Sequence, residues 1–140
     1  VSVIKNVTTK TGWQVFPEFV LTQGSSSKQT LEFVKNFFGC GNIFENRRHD
    51  NHREHLLRFC VRSRRDLKEQ IIPFFHKNQL RTKKKKDFEL FCQVIDLMDQ
   101  GKHLNFIGLK RIASIIEKMN RRVPSKLLES SETTRQSLRT

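Results

Sequence analysis

Arg81-Thr82-Lys83-Lys84-Lys85-Lys86 puts five cations into six residues, directly ahead of an apolar stripe with helical spacing. The run therefore falls at a helix start, where the macrodipole opposes positive charge by about a few tenths of a kcal/mol per group. A phosphate ligand is the chemistry that would favour cations there, and a solvated basic run is the alternative. His49, His52 and His55 are spaced three apart, but they fall in a loop and a strand rather than on one helix and no cysteine pair matches them, which argues against a zinc site. Cys40, Cys60 and Cys92 are too few and too widely spaced for a metal knuckle or a disulfide scaffold, and they point to reduced thiols in an intracellular compartment. Cys60 lies in a strand and neither it nor Cys40 has an oxyanion-hole signature beside it, so a Cys-His nucleophile is not expected. Gly39-Cys40-Gly41 is too short for a phosphate loop and reads as a turn.

The charge around these residues has one sign. The 140 residues hold 27 Lys plus Arg against 14 Asp plus Glu, a net charge of +13 and a pI near 10.2. A field of that kind attracts polyanions and repels acidic proteins. Residues 47–86 alone hold 14 basic and 4 acidic side chains, a net +10 spread over several elements, which suits a shaped nucleic-acid surface better than a lipid anchor. With 36% hydrophobic residues, 12 of them Phe, the chain has enough apolar side chain for a core and is not a disordered basic tail. No run approaches the roughly 20 apolar residues of a membrane span and no signal-peptide pattern stands at the N-terminus, so a soluble protein with no membrane partner is expected.

The elements that must position the cations read as follows. Residues 1–6 and 13–22 alternate as the strands of a hairpin, and because Val1-Ser2-Val3-Ile4 already reads as a strand, the chain is expected to begin inside a fold. Ser26 and Gln29 resemble a capping box ahead of a helix over 27–38, with Leu31, Val34, Phe37 and Phe38 on its stripe and Gly39 as its stop. Residues 42–47 and 54–62 form a second hairpin around the loop 48–52. In its second strand Leu57, Phe59 and Val61 seek the core while Arg58, Cys60 and Arg62 face away. Ser63 with Asp66 caps a helix carrying Leu67, Ile71, Phe74 and Phe75, which Pro73 ends or kinks. Phe88, Phe91, Cys92, Ile95 and Met98 mark a further helix from Thr82 to the stop at Gly101, and Asn105 caps a last one with Leu109, Ile112, Ile116 and Met119 on its buried side. Residues 1–122 are expected to be one domain, and 123–140 a basic, mobile tail.

This order predicts an α+β domain in which a sheet packs one face on helices. The other face would carry Ser2, Ile4, Asn6, Gln14, Phe16, Glu18, Arg58 and Arg62, with Asn42, Phe44 and Asn46 from the second hairpin and Lys28 and Lys85 from helix starts. Such groups suit the base edges and phosphates of a nucleic acid.

The stretches WQVFPEFVLTQ (Trp13–Gln23), LEFVKNFFGCGNIF, LKEQIIPFFHKNQLRTKKKKDFELF and HLNFIGLKRIASIIEKMN together resemble the LAGLIDADG homing endonucleases of the single-motif, intron-encoded kind over about residues 1–120. The resemblance implies a four-stranded antiparallel saddle-shaped sheet lying in the DNA major groove, backed by helices, in a homodimeric, Mg²⁺-dependent endonuclease. It also implies a motif helix ahead of the first strand that forms the dimer interface and ends in the metal-binding acid. No LAGLIDADG-like segment occurs in these 140 residues, so no metal ligand is assigned and the given chain is expected to be catalytically incomplete. Gln23 matches the family's polar residue that orders water at the scissile phosphate, Lys83 matches its active-site lysine, and Lys28 or Ser27 falls near a third basic helper. The rival reading is a non-catalytic nucleic-acid binder, either an RNA maturase on intron RNA or a decayed remnant. Bacterial cytoplasm and an organelle are both consistent with intron mobility.

Overall fold

Pro17 interrupts what the alternation over 13–22 predicts as a single strand. Before it β2 (Trp13–Phe16) pairs antiparallel with β1 (Ser2–Lys5), and beyond it β3 (Phe19–Gly24) joins a different sheet. Proline has no N–H to give to a ladder. The strands are thus arranged as a sheet of two and a sheet of three rather than one sheet of four. The computed structural model describes residues 1–47, 54–119 and 125–129. The chain divides into two compact units, one made of Val1–Pro17 with the residues from Gln79 onward, the other of Glu18–Asn78.

In the first unit α4 (Lys84–Asp99) and α5 (Phe106–Glu117) pack together. Val94, Leu97 and Met98 meet Leu109, Ile112 and Ala113 with Val15 of β2, while Val1, Val3 and Trp13 line the edge of this core. The predicted stripe is buried at Phe91 and Ile95, and Phe88 is half-buried. Gly101 takes a left-handed φ of 71° after α4, and Asn105 caps α5 by accepting the Gly108 N–H at 2.8 Å. A side chain at Gly108 would overlap the Lys102 carbonyl, so the close approach of α5 to that turn requires glycine. Residues 125–129, expected within a mobile tail, are instead packed. Ser125 N–H donates to Glu117 Oε1 at 2.6 Å, a helical turn follows, and Leu127 is fully buried in the core. The remainder of that predicted tail lies outside the described residues.

In the second unit the strand order is β3-β5-β4, with β4 at Asn42–Asn46 and β5 at Leu56–Val61, both pairings antiparallel. The core-facing side of β5 is as predicted, with Leu57, Phe59 and Val61 buried. Behind it stands a cluster of phenylalanines. Phe19 lies 6.2 Å from Phe38, 6.3 Å from Phe59 and 5.6 Å from Phe75 between ring centroids, and Phe38 lies 5.2 Å from Phe74. These edge-on and tilted pairs fill the space that the helices leave behind the sheet. Phe37, expected on the buried stripe of α1 (Lys28–Phe38), is 59% exposed and touches Phe74 and Phe38 only from outside, because it sits a hundred degrees round the helix from Phe38.

Two local expectations are corrected. The Ser26 capping box does not form, since no side chain of this chain segment caps α1. Glu54 instead holds the short 3-10 turn Ser25–Ser27 that leads into α1, its carboxylate accepting the Ser26 N–H at 3.0 Å and the Ser25 hydroxyl at 3.4 Å. The backbone bond from Ser26 holds the Glu54 carboxyl below its ordinary value of 4.5, so this contact is present above the ordinary carboxylate range and lost as pH falls through the depressed value. Pro73, expected to end or kink its helix, does not end it. After α2 (Arg64–Asp66), which Ser63 caps by accepting the Asp66 N–H at 3.3 Å, Leu67–Ile71 widens to π geometry and α3 (Ile72–Lys77) continues with Pro73 in its first turn. The wider turn accommodates the ring and the missing donor.

Two truncations check this packing. Phe91→Ala and Leu127→Ala should each lower unfolding stability, by about 3–5 and about 2–5 kcal/mol respectively, as large-to-small core changes do. Urea unfolding measures both. An unchanged midpoint for Leu127→Ala would return residues 125–129 to the tail.

Candidate nucleic-acid interface

The period-two register that buries Leu57, Phe59 and Val61 presents the intervening residues on the opposite face of the three-stranded sheet. Arg58 stands across from Thr22 of β3 and Phe44 of β4, and Asn42 and Asn46 share the face with Phe44. Arg62 follows β5 and Glu18 precedes β3 with the same parity. Glu18 Oε2 lies 2.9 Å from Arg62 Nε and its Oε1 lies 3.4 Å from Arg58 Nη2, while the Arg62 guanidinium carbon sits 4.9 Å above the Phe44 ring. The carboxylate bond raises Arg62 further above its ordinary pKa. Glu18 exposes only 21% of its side chain, so the strands seat it firmly. Cys60, expected among the cations on this face, is buried, and burial pushes its thiol up.

In the other unit, β1 and β2 pair Ser2 with Phe16 and Ile4 with Gln14. Their shared face is opposite Val3 and Val15, as predicted, and Asn6 extends it by donating from Nδ2 to Gln14 Oε1 at 2.8 Å. Asn6 also accepts the Thr8 N–H at 3.0 Å, which stiffens the turn beside this face. Ile4 is 46% exposed there.

The remaining candidates are separate from these faces. Gln23 is exposed near the end of β3, in register with Leu57, and thus has the parity of the core side at the sheet's rim. Lys28 lies 3.9 Å from Glu32 and lines an open cleft of about 730 Å³ with Ser25, Lys35, Asn36 and Asn42. Lys83 is exposed at the N-terminal boundary of α4, and Lys85 reaches Gln79 Oε1 at 3.5 Å. Thr82 caps this end, its hydroxyl accepting the Lys84 N–H at 3.2 Å. Gln23 and Lys83 thus belong one to each unit. His49 and His52 lie outside the described residues, and His55 is exposed.

Among the described residues no three His, Cys, Asp or Glu side chains gather as a metal site. Glu18 is held by two arginines, Glu54 by Ser25 and Ser26, and Asp87 stands 3.9 Å from Lys84. No helix among them is long and apolar enough to cross a membrane. What sequence reasoning missed is the Glu18 bridge. Its partners lie 40 and 44 residues away, and the only signal was an acid at an open-face position of a basic sheet.

The family model for LAGLIDADG endonucleases matches residues 1–95. A probable intron-encoded endonuclease of Neurospora crassa is 32% identical over 93% of this chain and 28% of its own length. A probable intron-encoded DNA endonuclease of Mycosarcoma maydis is 34% identical over 64% of this chain and 30% of its own. Among solved structures, the homing endonuclease I-TnaI superposes with a TM-score of 0.81 at 36% identity, over 94% of this chain and 85% of that one. I-SmaMI, solved on cleaved DNA, gives 0.84 at 32% identity over 94% of this chain and 42% of its own, and I-LtrWI, solved on its target DNA, gives 0.82 at 37% over 93% and 42%. The fold is α+β, and the chain belongs to the LAGLIDADG endonuclease family. It spans less than a third of the length of the two curated relatives.

Cys60 touches this surface through a side-chain hydrogen bond with Arg62, whereas Cys92 lies on α4 in the other unit. Burial, followed by Asp96 and Glu89, pushes Cys92 up to about 11. At pH 8 such a thiol is ionised to roughly one part in a thousand, so native Cys92 should alkylate at least about tenfold more slowly than the unfolded chain, and catch up only as pH approaches its own value. Peptide mass analysis after iodoacetamide treatment measures the rate.

Proposed function

We propose that the chain is the DNA-reading part of a site-specific double-strand endonuclease encoded in an intron. The observation that carries this reading is a polar sheet face in each unit, with Ser2, Asn6 and Gln14 in one and the cations Arg58 and Arg62 in the other, in a chain similar to two proteins solved on DNA. A β-ribbon fits the major groove, where amide and hydroxyl side chains meet base edges and cations meet phosphates. Ile4, Phe16 and Phe44 offer apolar contact to thymine methyl groups on the same faces. Asn42, Asn46, Lys28 and Lys85 extend the contact to flanking bases and backbone.

In the complete enzyme Gln23 acts at the scissile phosphate as a hydrogen-bonding group that orients water, and Lys83 acts there as a cation that stabilises developing charge on the phosphate oxygens. Mg²⁺ is the ion proposed for the complete enzyme. By likeness to the family, the metal-binding acid and the homodimer interface are assigned to the motif helix that the family places ahead of β1. The three thiols, each unpaired with another, accord with an intracellular compartment, either bacterial cytoplasm or an organelle.

Duplex binding should weaken steeply with salt, with a slope of log K against log salt of about −4 or steeper, as for roughly five neutralised phosphates. Replacing Arg58 and Arg62 together by Ala should weaken binding more than replacing Arg135 and Arg139. Fluorescence anisotropy across about 50 to 300 mM salt measures both, and a flat response would remove the nucleic-acid reading. Preference for structured intron RNA over every duplex would favour a maturase.

Cleavage is tested separately. These 140 residues should bind without cutting, and extension by the family's motif helix should restore Mg²⁺-dependent cutting. In the extended protein Lys83→Ala or Gln23→Ala should retain binding and slow cleavage by about 10²-fold or more, the usual size of a lost transition-state contact. Robust cutting by the given residues alone would move the active site elsewhere.

A further inference from the structure

A carboxylate on a surface meant for phosphates opposes its ligand, and Glu18 is such a group. Its position, however, is not that of a loose solubilising charge. Both its oxygens are engaged, Oε2 with Arg62 Nε at 2.9 Å and Oε1 with Arg58 Nη2 at 3.4 Å, and Phe44 supports the Arg62 guanidinium from below at 4.9 Å. All three strands of the sheet contribute to this assembly: Glu18 immediately before β3, Phe44 in β4, and Arg58 within and Arg62 just after β5. Arg62 remains 45% exposed although it is held on one edge and one face.

We propose that Glu18 is a positioning residue for base reading, fixing the Arg62 guanidinium so that it prefers guanine at one base pair of the target. The inference rests on the proposal that this face reads duplex DNA. A planar guanidinium meets O6 and N7 of guanine through two parallel hydrogen bonds, and no other base presents two acceptors in that arrangement. The contact discriminates only if the fork is presented at a defined angle. A lone surface arginine is free to swing to the nearest phosphate, which contributes affinity without sequence information. Glu18 and Phe44 restrict that swing before DNA arrives, so less side-chain freedom remains to be lost on binding. Electrostatics alone predicts that removing the Glu18 charge improves binding to every sequence. Positioning predicts that it improves binding and spoils selectivity.

The test is selection from a library of randomised duplexes by the wild type, Glu18→Gln, Arg62→Ala and the double variant, with affinity for one unrelated duplex measured alongside. Glu18→Gln should bind the unrelated duplex at least as tightly as the wild type, with a salt slope steeper by about one. It should lose about tenfold of the preference for guanine at one position, the position also lost in Arg62→Ala. The double variant should lose no more preference than Arg62→Ala alone, since Glu18 acts through the arginine. Arg62→Lys, which keeps the charge and loses the fork, should lose the same guanine, and should Glu18→Gln unfold, Glu18→Asp, which keeps the charge but shortens the reach to Arg62, should lose that preference too. An unchanged selection profile in Glu18→Gln would overturn the proposal. So would loss of a cytosine preference that Arg62→Ala retains, which would make Glu18 a direct reader. A wild type that enriches duplexes without any guanine preference overturns only this assignment, whereas a wild type that retains no duplex overturns the DNA reading beneath it.

Discussion

The alternation along β5 is the constraint on which the second unit depends. As the central strand it pairs with β3 on one side and β4 on the other, so its parity sets which face each neighbour presents. A slip of one residue would drive Arg58 into the phenylalanine cluster and expose Phe59. An unpaired guanidinium in that cluster costs several kcal/mol, and exposing Phe59 forfeits about 1.5–3 kcal/mol of burial. The core thus fixes the register, and the register delivers the arginines to the opposite face. Apolar packing chooses the face, and the contacts of Glu18 and Phe44 with the arginines then order it. This explains how a surface with so many like charges keeps a defined geometry.

Elements whose signals are local were legible in the sequence. Leu57, Phe59 and Val61 alternate, Asn105 stands three residues before the amide it caps, and Gly39 and Gly101 supply left-handed stops at 66° and 71°. Elements settled by distant partners were not. Hydrophobic alternation runs through Pro17 without a break, and only the absence of a ladder donor separates β2 from β3. Glu54, 28 residues away, takes the Ser26 N–H that the Gln29 amide would accept in a capping box, and a carboxylate is the stronger acceptor. Leu127 lies beyond Pro124 in a stretch rich in Ser and Thr, and its burial follows from the space left by α4, α5 and β2 rather than from its neighbours in sequence.

The same division applies to the candidate site. Arg58 and Arg62 were assigned by parity alone, and Ser2, Ile4, Gln14 and Phe16 likewise. Their ordering by Glu18 required the juxtaposition of three strands. Gln23 and Lys83 illustrate the opposite limit. Nothing in residue chemistry separates Lys83 from Lys84, Lys85 or Lys86, and Gln23 reads as any strand-end amide, so their proposed roles come from family likeness.

The basic end of α4 shows how charge of this density is compatible with folding. Lys84, Lys85 and Lys86 occupy its first turn and only Asp87, 3.9 Å from Lys84, offsets them there. Each cation near that terminus costs about 0.3–1 kcal/mol at most. Five side chains further along the same helix, Phe91, Val94, Ile95, Leu97 and Met98, are buried, each contributing on the order of 1.5–3 kcal/mol. Burial therefore exceeds the electrostatic penalty several-fold, and the helix forms with its cationic end intact. Salt screens the penalty and hardly touches the burial, so the charges are free to be set by what the surface must attract rather than by what the fold requires.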